Sequence, residues 1–180
     1  MWGKIFFCTL WITLTLFYLV APAMPEDLFS KAGLQPIKEK KKAPDFSLEN
    51  LEGRKVELKD FKGKVILLTF WATWCGPCKE DMPSMEALHQ QFKGKDFVLL
   101  SISVDYAGLK PVKEFLDKHR YTFMVLLDPK CECLDTFGVK GIPTTFLIDK
   151  KGTIVGKVVG PKNWKSKEVI SLVNMLIESK

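Results

Sequence analysis

Val65-Ile66-Leu67-Leu68-Thr69-Phe70-Trp71-Ala72-Thr73-Trp74-Cys75-Gly76-Pro77-Cys78 is the stretch from which both the fold and the chemistry can be read. Val65 to Phe70 is a continuous apolar run, the pattern of a strand covered on both faces. Two cysteines separated by two residues follow directly. Beyond them Met82, Met85, Leu88 and Phe92 fall at helical spacing, with Pro83 expected to kink the helix. The stretch therefore predicts a buried strand, a turn carrying Cys75 and Cys78, and a helix.

A Cys-x-x-Cys pair at a strand-to-helix junction has a physical reason to be redox-active. Cys75 would sit at the helix N-terminus, where unpaired amides and the helix dipole favour an anion. Its thiolate would then be accessible near neutral pH. Cys78, one turn on and more enclosed, would close a disulfide and attack second. Gly76 and Pro77 set the tight turn, and Pro77 lies where a missing N–H costs little. A zinc half-site and a purely structural disulfide are the alternatives. Zinc needs about four ligands, and Cys131 and Cys133, spaced by one residue, make an unusual second half. No metal and no cofactor beyond the dithiol is expected.

Working outward, the chain alternates strands and helices. Phe97 to Val104 reads as a second buried strand, and Val112, Phe115 and Leu116 mark a helix. Val125–Leu127, Thr145–Ile148 and Ile154–Val159 read as strands, the last two joined by a turn at Lys151-Gly152. Val169, Leu172, Val173 and Leu176 mark a closing helix. Upstream, Gly53 between Leu51 and Val56-Glu57-Leu58 reads as a hairpin. The sum is an α/β sandwich with a mixed sheet.

The N-terminus is set apart. Lys4 precedes an apolar run from Ile5 to Val20, and Ala21-Pro22-Ala23 supplies small residues for cleavage. Residues 1–23 are read as a signal peptide or membrane anchor, which places the remainder outside the cytoplasm, where disulfides form. Residues 24–42, ending in Lys38-Glu39-Lys40-Lys41-Lys42, are read as a linker. A domain is expected over 43–180. The 180 residues carry 27 Lys+Arg against 21 Asp+Glu, a net charge of +6, spread too evenly for a nucleic-acid binder. A hydrophobic content of 47% argues against disorder.

Phe70-Trp71-Ala72-Thr73-Trp74-Cys75-Gly76-Pro77-Cys78-Lys79 resembles the active site of the thioredoxin superfamily. Ala43-Pro44-Asp45-Phe46 with the Gly53 hairpin, Asp81-Met82-Pro83, and Gly141-Ile142-Pro143-Thr144-Thr145-Phe146-Leu147-Ile148-Asp149 narrow the resemblance to its TlpA/ResA-like branch. The resemblance implies a thioredoxin fold: a mixed central sheet flanked by helices, with an N-terminal β-hairpin extension. It implies an exported thiol–disulfide oxidoreductase, with Cys75 and Cys78 catalytic. Such proteins reduce disulfides of exported proteins, apocytochrome c included, and are recharged by a membrane electron donor. Trp74, Ile142, Pro143 and Thr144 would line the substrate groove, with the Ile142-Pro143 bond cis. Trp71, Gly76, Pro77 and Asp81 would support the site, with Asp128 as partner of the Trp71 indole.

Three positions depart from that pattern. Thr69 stands where relatives carry a buried Asp or Asn, so a proton acceptor for Cys78 is missing there. Asp81 is shorter than the Glu of some members. Cys131-Glu132-Cys133 is not part of the usual pattern, and is read as a second redox pair, a small structural disulfide or idle thiols. A thiol peroxidase of the redoxin type is one rival function. It would need a Thr three residues before the reactive Cys and an upstream Pro, where this chain has Ala72 and Leu68. A non-catalytic metal-delivery module is the other. His89, His119, Met82 and Met85 are assigned to surface or core instead.

Overall fold

The computed structural model describes residues 25–179; the expected leader, 1–23, lies outside them. In chain order the elements are α1 (Pro25–Lys31), β1 (Gln35–Lys42), β2 (Ser47–Asn50), β3 (Lys55–Glu57), a single 3-10 turn (Leu58–Phe61), β4 (Val65–Trp71), α2 (Gly76–Gln91) and β5 (Phe97–Ser103). They continue with α3 (Leu109–His119), β6 (Met124–Leu127), α4 (Glu132–Thr136), β7 (Thr144–Ile148), β8 (Thr153–Val159) and α5 (Lys167–Glu178). The strands form one mixed sheet in the order β1-β8-β7-β4-β5-β6-β2-β3.

β4 is buried along its whole length, as its apolar run requires, and it occupies the middle of the sheet. It pairs in parallel with β5, which pairs in parallel with β6, and antiparallel with β7. The C-terminal ends of β4, β5 and β6 and the N-terminal end of β7 therefore lie along one edge of the sheet. Trp71, Ser103 and Leu127 are in register there, and Phe70 is opposite Thr144. That edge carries the site. α2 lays Cys78, Met82, Met85 and Leu88 onto the core and runs through Pro83, which leaves the Lys79 carbonyl without its helical donor. α5 buries Val169, Leu172, Val173 and Leu176, and the Ser166 hydroxyl caps it by accepting the Val169 N–H at 3.3 Å.

The expected hairpin is present as β2 and β3. Its turn is tied by Asn50 Oδ1, which accepts the N–H groups of Glu52 (3.1 Å) and Arg54 (2.9 Å), with Gly53 at φ +72°. β2 also pairs with β6, so the hairpin lengthens the central sheet.

Residues 25–42 differ from the expected linker: they form α1 and β1. Phe29, Ala32 and Leu34 are buried, and β1 pairs antiparallel with β8. Leu28, Phe29, Leu34 and Ile37 show no sustained period because they are divided among a short helix, a turn at Gly33 (φ +68°) and a strand. Gly156 of β8 makes room for them, since a Cβ there would meet Phe29 and Leu34 at 3.1 Å each. The lysine run lies on β1, an edge strand, where charge opposes pairing with a second sheet. Among the described residues no helix is long and apolar enough to cross a membrane.

Candidate active site

Cys75 and Cys78 are disulfide-bonded. Cys75 is the N-cap residue of α2, with extended backbone, and its Sγ accepts the Cys78 N–H at 3.2 Å. Gly76 and Pro77 form the first helical turn, with Pro77 at a position that needs no N–H. Both cysteines are buried, and the residual exposure of the pair lies at Cys75, 6% against 1% for Cys78. The helix terminus supplies amides and dipole to a thiolate on Cys75.

The loop before β7 closes the other side of the sulfur. The Ile142–Pro143 bond is cis, as expected, and Cys75 Sγ lies 3.8 Å from the Ile142 carbonyl oxygen. Thr144 is buried, its hydroxyl donating to Gly141 O at 2.6 Å; it fixes the loop and offers no open groove surface. Trp74, by contrast, is 61% exposed beside Cys75. The structure thus brings Cys75, Cys78 and the Ile142–Pro143 loop together, with Trp74 exposed next in sequence to Cys75.

Asp81, one turn after Cys78, is buried against the segment that precedes α5. Its Oδ1 accepts the Lys162 N–H at 2.6 Å and its Oδ2 the Trp164 indole N–H at 3.4 Å. Burial nevertheless pushes its carboxyl up to about 6, outweighing those two donors. Thr69 is buried and its hydroxyl pairs with that of Thr145 at 2.9 Å, an uncharged arrangement at the position where the resemblance implies Asp or Asn in relatives.

Asp128 does not partner the Trp71 indole. Its Oδ2 accepts the Leu134 N–H at 2.9 Å and so holds α4, while Trp71 Nε1 is buried without a hydrogen-bond partner. The reason is sheet order: Asp128 follows β6, two strands from β4, about 10 Å across the sheet. Trp71 itself is core, packed on Phe115 with ring centroids 5.4 Å apart.

Cys131 and Cys133 are free thiols. Cys131 is the N-cap residue of α4 with φ 59°, and Cys133 is buried in the core. Burial and the nearby Asp128 push the Cys133 thiol up to about 12. Burial, Asp128 and Asp135 raise that of Cys131. Cys131, although an N-cap, makes no capping hydrogen bond, unlike Cys75, whose sulfur accepts the Cys78 N–H. Among the described residues no cluster of His, Cys, Asp and Glu is arranged to hold a metal.

The residue that sequence reasoning missed is Asp105. It follows β5, is buried, and accepts the Thr73 N–H (2.9 Å), the Thr73 hydroxyl (2.6 Å) and the Ser103 hydroxyl (2.7 Å). It thereby pins the chain two residues before Cys75. Its only sequence signal is an acid immediately after a buried strand.

A mixed sheet with a helix-capping dithiol at the end of its central strand, facing a cis-proline loop, defines a thioredoxin-fold thiol–disulfide oxidoreductase. The chain belongs to the AhpC/TSA family, whose model matches residues 40–157. It is 42% identical over 120 residues to the thiol-disulfide oxidoreductase ResA of Bacillus thuringiensis subsp. konkukian, covering 67% of this chain and 69% of the relative. Identity to ResA of Bacillus subtilis is 38% over 129 residues, 72% of each chain. A thioredoxin-family thiol:disulfide interchange protein of Chlorobium tepidum superposes with a TM-score of 0.67 at 27% identity, over 78% of this chain and 99% of that one.

Proposed function

We propose that the protein is an exported reductase of protein disulfides, with Cys75 the attacking and Cys78 the resolving sulfur. The observation that carries this reading is the asymmetry of the pair: Cys75 caps the helix and keeps 6% of its surface exposed, whereas Cys78, inside the helix, keeps 1%. In the reduced protein the Cys75 thiolate attacks one sulfur of the substrate disulfide. The substrate S–S bond breaks, and the departing sulfur takes up a proton. Cys78, deprotonated, then attacks Cys75 Sγ, releases the second substrate thiol and leaves the Cys75–Cys78 disulfide. Two electrons have passed to the substrate. Ile142 and Pro143 hold the substrate backbone beside Cys75, and Trp74 flanks it.

The substrates are exported proteins with accessible disulfides, including the haem-binding cysteines of apocytochrome c. The pair is recharged by a dithiol donor in the membrane. Export rests on the Lys4, Ile5–Val20 and Ala21-Pro22-Ala23 pattern, which acts as a signal or as an anchor for the domain. No metal, no bound cofactor and no nucleic acid takes part.

The test uses single-cysteine variants of the reduced full chain and a disulfide-bonded protein. Cys78→Ser should accumulate a mixed disulfide through Cys75, and Cys75→Ser should accumulate none. Near pH 7, iodoacetamide should label Cys75 well before Cys78. Trapping through Cys78 in the Cys75→Ser variant would reverse the roles. Transfer of electrons only from reduced partners to the oxidised chain would reverse the direction.

A further inference from the structure

The N-terminal end of β4 lies opposite the dithiol, about 20 Å away along the strand from Val65 to Trp71. A cavity of about 310 Å³ at that end is lined by Lys42, Lys59, Lys62, Lys64, Lys150 and Lys151, against two acids, Asp45 and Asp149. Lys42 ends β1, Lys59, Lys62 and Lys64 precede β4, and Lys150 and Lys151 form the turn between β7 and β8. The even spread of charge along the sequence therefore conceals a cluster that only the fold assembles.

The backbone fixes the cluster. The Gly63 N–H donates to the Lys150 carbonyl at 3.3 Å, and the Ala43 N–H to the Gly152 carbonyl at 2.9 Å. The Lys42 ammonium donates to the Lys151 carbonyl. Little within the fold compensates these charges. Asp149 turns Oδ1 to the backbone N–H groups of Lys151 (2.9 Å) and Thr153 (2.8 Å), not to an ammonium. Among the described residues Lys59 is the one of the six that is ion-paired, with Glu57. Lys42, Lys59, Lys62 and Lys151 are exposed. Like charges held together in this way repel one another unless an anion covers them.

We propose that this lysine face docks the domain on anionic phospholipid headgroups, with the dithiol end turned away from the bilayer and open to exported substrates. The inference goes beyond the reductase reading and rests on it only in taking residues 1–23 as the leader. The apolar run Ile5–Val20 ends five residues before Pro25, where α1 begins, a reach of at most about 18 Å. A domain on so short a lead stays at the membrane surface, and its charge decides which side meets the headgroups. The screening length at physiological salt, about 8 Å, is shorter than the distance between the two ends, so each end presents its own charge. An anionic surface gains about fivefold in partition for each lysine brought to it.

Partition of the full chain onto vesicles of phosphatidylcholine, alone or with one part in three of phosphatidylglycerol, tests the proposal. The leader is common to every variant, so the ratio of the two partition coefficients isolates the lysines. Lys62→Gln/Lys64→Gln/Lys151→Gln should lower that ratio about hundredfold, and Lys62→Gln alone about fivefold. The triple variant should still reduce insulin with dithiothreitol at the unsubstituted rate, which shows that it is folded. Lys110→Gln/Lys130→Gln/Lys140→Gln removes the same charge at the dithiol end and should leave the ratio unchanged. A ratio near one in the unsubstituted chain, or an equal fall in both triple variants, overturns the lysine face. Loss of the ratio on adding inorganic phosphate at constant ionic strength would make the cavity a site for free phosphate and overturn it too. Binding to the anionic vesicles without any to the neutral ones would overturn the leader as an anchor while supporting the lysine face.

Discussion

Substituting Asp81 by Asn should flatten the pH dependence of stability between about pH 4 and pH 6. Burial raises the folded-state carboxyl from its ordinary 3.8 to about 6, while in the unfolded chain it is hydrated and near its ordinary value. Between those two pH values the native state holds a proton that the unfolded state has released. The unfolding free energy therefore falls as pH rises. This contribution is fully present below the unfolded value and is lost as pH climbs through about 6. A difference of about two pH units at 1.36 kcal/mol each gives about 3 kcal/mol. Two other groups titrate nearby with the opposite sign. Hydrogen bonds from Thr122 and Gln90 hold the Glu86 carboxyl below its usual range despite its partial burial, and burial lowers the His89 imidazole. Both are common to the two proteins, so the difference between them isolates Asp81. Urea midpoints for the full chain and for Asp81→Asn, taken from pH 4 to 7.5, should show the unsubstituted protein losing about 3 kcal/mol relative to the variant. Parallel curves would mean that Asp81 is ionised throughout, and that the Lys162 and Trp164 donors outweigh its burial.

Gly156→Val would drive side-chain atoms into Phe29 and Leu34, each already 3.1 Å from a Cβ at that site. A loss of about 1–3 kcal/mol, with earlier proteolysis of residues 25–42, is expected in urea titration; an unchanged midpoint would show that α1 contributes no packing. With the Cys133 thiol pushed up to about 12, roughly one molecule in 10⁵ carries its thiolate at pH 7. The Cys131→Ser/Cys133→Ser variant should therefore keep its rate of insulin reduction with dithiothreitol and also with a membrane dithiol donor. A loss confined to the membrane donor would establish an electron relay through this pair.

The parts of this fold that can be read along the chain are those whose burial is decided locally. β4 is apolar at nearly every position because both of its faces are covered, and the dithiol follows it without interruption, so strand, turn and helix are all legible there. Residues 25–42 are not, because their burial depends on β8, more than a hundred residues away, and on the missing side chain at Gly156. Asp105 and Asp128 make the same point for side chains. Each is an acid within two residues of the end of a parallel strand, and nothing local distinguishes them. Strand order does: β5 adjoins β4, so Asp105 reaches Thr73, whereas β6 stands one strand further out, and Asp128 instead holds the first turn of α4. Thr69 completes the argument from the opposite direction. A carboxylate there would need a donor, and the residue opposite it on β7, Thr145, offers a single hydroxyl. Two threonines satisfy each other without charge, whereas the buried acid Asp81 of α2 sits where a backbone N–H and an indole N–H meet it.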